Sequence, residues 1–218
     1  MSPAQQTLLI RDLGIQQYEP VWHAMQNFTA QRSDKTPDEL WCLQHPAVFT
    51  MGLNGKQEHL LDTGDIPVIN IDRGGQVTFH GPGQLVIYTL LDLTRLKMGV
   101  KELVIVMEQA IINLLADLGI AAEGKRDAPG VYVNEAKIAA LGLRIKKGRS
   151  YHGLSLNIDM DLSPFTRINP CGYKGLSVTQ LNDHKSDVDY LTIKNQLLEH
   201  LVKVLGYNKW HLTEQGMP

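Results

Sequence analysis

Between two apolar stretches, residues 67–71 and 85–91, the chain carries Arg73-Gly-Gly-Gln-Val-Thr-Phe-His80-Gly-Pro-Gly-Gln84. Glycine at this density strips side chains from the backbone and lets a ligand approach the main chain closely. A pair of core strands needs nothing of the kind. The run therefore reads as a site, with Arg73 and His80 as its two chemically versatile side chains.

The pattern on either side sets the fold class. Residues 7–13 and 39–44 read as strands, separated by a helical stretch near 16–32 with apolar Val21, Met25 and Phe28. Residues 47–51 and 67–72 continue the strand pattern, and the nearly all-apolar 84–92 is a candidate central strand. Residues 100–118 make the clearest helix, with Leu103, Val106, Met107, Ala110, Ile111, Leu114 and Leu115 on one stripe. Gly119 stands where a C-terminal cap belongs. Three further strands are expected at 130–133, 136–145 and 153–158, the first two joined as a hairpin at Asn134-Glu135. Residues 191–205 close with a helix. Strand clusters interrupted by a few helices predict an α+β, two-layer arrangement: a mixed sheet with flanking helices.

At 218 residues, a single domain over residues 1–218 is expected, large enough to bury a core without disulfides or metal. Hydrophobic residues at 43% and charged residues at 20% exclude a disordered chain. A formal net charge of −2 gives no global drive toward nucleic acid. Cys42 and Cys171 are too few for a disulfide framework. The N-terminal residues lack a signal-peptide pattern, and no apolar run approaches the roughly 20 residues that span a bilayer. The expectation is a cytoplasmic enzyme with reduced thiols and no membrane partner.

Cys171 sits in the turn-rich Ile168-Asn-Pro-Cys-Gly-Tyr-Lys-Gly175, whereas Cys42, in Leu40-Trp-Cys-Leu43, reads as a buried structural residue. A thiol becomes a useful nucleophile beside a cation that favours its thiolate. Lys137, followed by small apolar residues, is one such cation, though a lysine on an apolar strand also suits a sheet edge. His80 is a second, since Cys–His dyads are common in nucleophilic catalysis, and His152 a weaker third. Spacing alone leaves the choice between Lys137 and His80 open. The run lacks Gly-Lys-Ser/Thr and a helix-opening Gly-x-Gly-x-x-Gly, so neither a P-loop nor a dinucleotide fold is expected. No two histidines have zinc-site spacing, and no Gly-x-Ser-x-Gly elbow is present.

The glycine-rich run, the Lys137 segment and Asn169-Pro-Cys-Gly, in this order and spacing, resemble the lipoyl(octanoyl) transferase family from about residue 8 to 205. The resemblance implies the α/β catalytic domain shared with biotin and lipoate protein ligases. It implies transfer of an octanoyl (or lipoyl) group from acyl carrier protein to a lysine of lipoyl domains, the first step of endogenous protein lipoylation. The acceptors would be those of 2-oxoacid dehydrogenase E2 subunits and of the glycine cleavage H protein. By match to the motifs, Cys171 would carry the acyl thioester and Lys137 would favour its thiolate. Substrate would be bound by Arg73, Gly74, Gly75, Gln76, Val77, Thr78, Phe79 and His80, by Ala140, Leu141 and Gly142, and by Gly153, Leu154 and Ser155. Phe79 stands where the family commonly has tyrosine, Ala140 where it has serine and Ser155 where it has alanine, which bears on pocket lining.

Thioester exchange followed by amide formation runs downhill without a nucleotide, so neither cofactor nor metal is expected. Small residues Ala139, Ala140, Gly142 and Gly153 would wall an apolar slot, and amides near Gly142 or Gly153 would hold the oxyanion. The basic Lys146-Lys-Gly-Arg149, near Lys125-Arg126, is either a docking patch for an acidic carrier or a solvated hairpin end. Three other readings compete. An ATP-dependent lipoate or biotin protein ligase would need no nucleophilic cysteine. A hydrolase built on Cys171 and His80 would release free acid, and a binding module would survive loss of Cys171.

Overall fold

In the computed structural model, residues 7–213 and 216–218 are described. The apolar pattern of the central strands alternates between two buried faces, and each face recruits its own helices. In β2 (Asp38–Gln44) and β6 (Gln84–Leu90), Leu40, Cys42, Leu85 and Ile87 point one way. There they join Leu103, Met107 and Ile111 of α3 (Val100–Asp117) and Leu197 and Leu201 of α4 (Tyr190–Val204). Trp41, Leu43, Val86, Tyr88 and Leu90 point the other way, onto Val21 and Met25 of α1 (Tyr18–Gln31). A strand buried on both faces reads as a continuous apolar run, as residues 84–92 do.

The remaining elements are β1 (Thr7–Ile15), β3 (Val48–Met51), β4 (Val68–Asn70), β5 (Val77–His80), the short α2 (Leu93–Leu96), β7 (Glu123–Gly124), β8 (Gly130–Val133), β9 (Ala136–Lys146), β10 (Arg149–Asn157) and β11 (Lys209–Thr213). Eight strands form one mixed sheet in the order β11-β1-β2-β6-β10-β9-β8-β7, with β6 between β2 and β10 as its pattern predicts. The two pairings of β1 are parallel and the rest antiparallel. A smaller sheet, β4-β3-β5, packs through Phe49, Val77 and Phe79 against Met160, Phe165 and Ile168.

The mixed sheet with flanking helices is the fold class expected from the sequence. Asn134 and Glu135, both at positive φ, turn the β8–β9 hairpin, and Gly119 at φ +78° caps α3. Cys42 is fully buried. Three strands were not foreseen, the two-residue β7 among them. β5 lies inside the glycine-rich run, and β11 extends the large sheet beyond β1.

Candidate active site

The position of Lys137 follows from a bulge. Val131 of β8 faces Ala139, but its neighbour Tyr132 faces Lys137, so β9 carries one extra residue between them. A bulge lets two consecutive residues share a face. Ile138 and Ala139 accordingly both enter the core under α3, while Lys137 and Ala140 both open onto a cavity on the opposite face. Lys137 is not an edge residue. It lies in an interior strand and is only 4% exposed.

Cys171 reaches the same point from a different segment. It occupies a 3-10 turn, Pro170–Gly172, at φ +56°, a left-handed conformation unusual for a non-glycine residue. Asn169 N–H donates to His59 O at 2.9 Å and Gly172 N–H to Asn169 O at 2.9 Å, which fixes the turn. The chain beyond it is zipped to Lys137 itself: Lys137 N–H donates to Ser177 O (2.8 Å), and Thr179 N–H to Lys137 O (3.0 Å). Lys137 Nζ then lies 3.1 Å from Cys171 Sγ and 3.1 Å from Pro129 O, above the Tyr132 ring. Burial works against the ammonium, yet the facing Cys171 and Tyr132 more than offset it, so Lys137 titrates above the usual lysine range.

These groups open onto a cavity of about 490 Å³. Every residue of the three expected binding stretches lines it except Phe79. Alternation along β5 turns Thr78 and His80 to the cavity and sends Phe79 into the core beside Phe49 and Phe165. Ala139 is likewise a core residue under α3 rather than a wall of this cavity. Gly142 and Gly153 have steric reasons to be glycine. A Cβ on Gly142 would stand 3.0 Å from Arg73 Cδ, and one on Gly153 would stand 2.1 Å from Ile87 O.

Sheet geometry turns the amides of Gly142 and Gly153 themselves away from an oxyanion role. Leu143 O accepts from Gly74 N–H at 2.9 Å and so points away from β10, which by alternation turns the Gly142 amide into the ladder opposite Gly153. Gly153 itself is paired on both sides, to Gly142 and to Tyr88.

His80 does not contact Cys171. Its Nδ1 faces Gln84 Oε1 at 2.7 Å and its Nε2 faces Thr50 Oγ1 at 3.4 Å. Burial holds it down to about 3, so the ring is neutral at ordinary pH. Arg73 is also held by protein groups, donating to Thr50 O (2.7 Å) and Oγ1 (3.1 Å) and to Gly74 O (3.0 Å). His152 sits at φ +60°, which turns it toward the same side as Tyr151, and both reach Asp72. Asp72 also accepts from Trp22 Nε1 (2.8 Å) and Gln26 Nε2 (3.1 Å) of α1. Burial opposes the Asp72 charge, but these four donors outweigh it and keep the carboxyl well below its ordinary range.

Sequence reasoning passed over Tyr132, Thr50 and Asp72. Asp72 carried the one usable signal, a carboxylate ending an apolar strand directly before the glycines. Tyr132 reads only as one more residue of a strand. Of the basic cluster, Lys146 and Lys147 are exposed, whereas Arg149 is committed to Arg32 O at 2.6 Å and to Asp92 at 3.6 Å. Among the described residues, no cluster of three or more His, Cys, Asp or Glu could hold a metal ion, and no helix is long and apolar enough to cross a membrane.

Residues 17–202 match the family described as the lipoyl protein ligase A/B catalytic domain. An octanoyltransferase of Pseudomonas fluorescens is 60% identical over 202 residues, covering 93% of this chain and 94% of its own length. One of Hahella chejuensis is 54% identical over 213 residues, covering 98% and 95%. Among solved structures, a putative lipoate protein ligase from T. acidophilum superposes with a TM-score of 0.77 at 16% identity, over 97% of this chain and 90% of that one. A biotin protein ligase from Aquifex aeolicus gives 0.55 at 13% identity, over 91% and 69%. At such identities these structures speak for the fold alone. The fold, the full-length match and the high identity agree: this chain belongs to the lipoyl protein ligase A/B catalytic-domain family, among its octanoyltransferases.

Proposed function

We propose that this protein moves an octanoyl group from the thiol of acyl carrier protein to Cys171, and from Cys171 to a lysine of a lipoyl domain. The observation that carries the reading is the 3.1 Å contact between Lys137 Nζ and Cys171 Sγ at the wall of the cavity. The high identity to octanoyltransferases over nearly the whole chain supports it. In the first half-reaction, the Cys171 thiolate attacks the donor thioester carbonyl. A new C–S bond forms, the carrier thiolate leaves, and the Lys137 ammonium gives it a proton. In the second, the acceptor's neutral ε-amine attacks the Cys171 thioester. Lys137, now a neutral amine, takes the amine's proton as the C–S bond breaks, which restores thiolate and ammonium. Atoms and charge balance without a nucleotide. The acyl chain would lie in the slot beside Ala140, Gly142 and Gly153, with Arg73, Thr78 and His80 shaping its polar wall.

The acceptors proposed are the lipoyl domains of 2-oxoacid dehydrogenase E2 subunits and the glycine cleavage H protein, met in the cytoplasm. The test is intact-protein mass after incubation with octanoyl-acyl carrier protein, without ATP, beside a Cys171→Ala variant. The wild type should gain one octanoyl group and lose it to added apo lipoyl domain, and the variant should gain none. Transfer only when ATP and free acid are supplied would replace this reading with a ligase.

A further inference from the structure

We propose that Glu108, on α3, is a positioning residue that holds the Lys137 ammonium against Cys171 through the intervening Pro129–Gly130 peptide. This rests on the acyl-transfer reading given above. One peptide unit carries both contacts. Its carbonyl, Pro129 O, accepts from Lys137 Nζ at 3.1 Å, and its N–H, on Gly130, donates to Glu108 Oε1 at 2.8 Å. In a trans peptide these two groups point in opposite directions, so the plane bridges a carboxylate on one side and an ammonium on the other. An anion on the N–H draws electron density toward the carbonyl oxygen and makes it a better acceptor, as in any hydrogen-bonded chain of low local dielectric.

The backbone is shaped for this contact. Gly130 has φ +149°, and a Cβ there would stand 2.9 Å from Lys137 Cε and 3.1 Å from its Nζ. Only a bare Cα lets the peptide lie flat against the lysine. The groups facing Lys137 are Cys171 from its turn and Tyr132 from β8, with Glu108 of α3 across the Pro129–Gly130 peptide. Lys125, ion-paired with Glu123 and Glu135, also lies over the Tyr132 ring. Burial lifts the Glu108 carboxyl above its ordinary range, and the Gly130 N–H and the Lys137 charge offset only part of that rise.

The test uses the full chain carrying Glu108→Ala or Glu108→Gln. Single-turnover acylation of Cys171 by octanoyl-acyl carrier protein is followed by intact mass from about pH 7 to 12, a window that spans the raised Lys137 titration, beside thermal unfolding. Glu108→Ala should lower the maximal acylation rate about tenfold at unchanged half-saturation, the loss expected for one hydrogen bond to a charged group. Glu108→Gln keeps an acceptor for the Gly130 N–H and should recover most of that rate. In both variants the alkaline limb should move to lower pH, because no carboxylate remains to favour the ammonium. Wild-type rate and alkaline limb in both variants would overturn the proposal. So would a rate loss that merely tracks thermal stability with the limb unmoved. A wild type that takes up no octanoyl would instead sink the transfer reading, and this proposal with it.

Discussion

Cys171 and Lys137 stand 34 residues apart in the chain, and each is betrayed by a different local signal. The cysteine shows itself because a Pro-Cys-Gly turn is no place for a small hydrophobe. The lysine shows itself because it interrupts apolar neighbours. What the sequence leaves open is the pairing, since His80 sits in an equally suggestive segment. The pairing depends on one bulge in β9, which decides which face Lys137 occupies, and a single extra residue in a ladder leaves no mark in composition or periodicity. The role of Lys137 is tested by Lys137→Met, which keeps the buried volume and removes the charge. It should fold normally and acylate about 10²- to 10⁴-fold more slowly, the range for losing a positioned proton donor. Near wild-type acylation in a single-turnover assay would remove Lys137 from the chemistry.

At the level of elements, segments with an apolar pattern were legible and those without one were not. The strand at β6 and the helices α1, α3 and α4 declare themselves because each must bury a face or a stripe. β5 is four residues set among glycines, and those glycines point to a loop. In β11, Trp210 and Leu212 stay largely exposed, so no burial pattern marks the strand. The β8–β9 turn was legible as a hairpin, and it carries a defect. Glu135 sits at φ +69°, where a side chain is strained. Its ion pair with Lys125 is exposed and contributes little. Glu135→Gly should therefore stabilise the protein by about 0.5–1 kcal/mol, read as a higher urea midpoint at constant slope. A lower midpoint would mean that the ion pair outweighs the backbone strain.

Across the whole molecule, the cavity wall is drawn from both sheets: Thr78 and His80 come from β5, and Ala140, Gly142, Gly153 and Ser155 come from β9 and β10. His80 on that wall and His45, buried beside it, shape the protein's response to acid. Burial, the dominant cause in both, holds His45 at about 4 and His80 at about 3, below the ordinary histidine value. Their neutral forms stabilise the fold fully above about pH 6.5. Below that pH the unfolded chain takes up protons that the folded chain refuses, so stability falls toward pH 4. Urea unfolding should show a loss of roughly 4 kcal/mol between pH 7.5 and 5, and His45→Gln with His80→Gln should flatten that slope. Equal stability at the two pH values would contradict it. The depth of Lys137 has a last consequence, for the order in which two protein partners are served. In the proposed cycle the empty site pairs a thiolate with an ammonium and suits the arrival of a donor. Once Cys171 is esterified it can no longer answer a positive charge, and a cation left in that dry wall is relieved by shedding its proton. In the proposed cycle the loaded enzyme thus becomes proton-accepting through the act of loading, and it keeps in one lysine a record of which partner has already called.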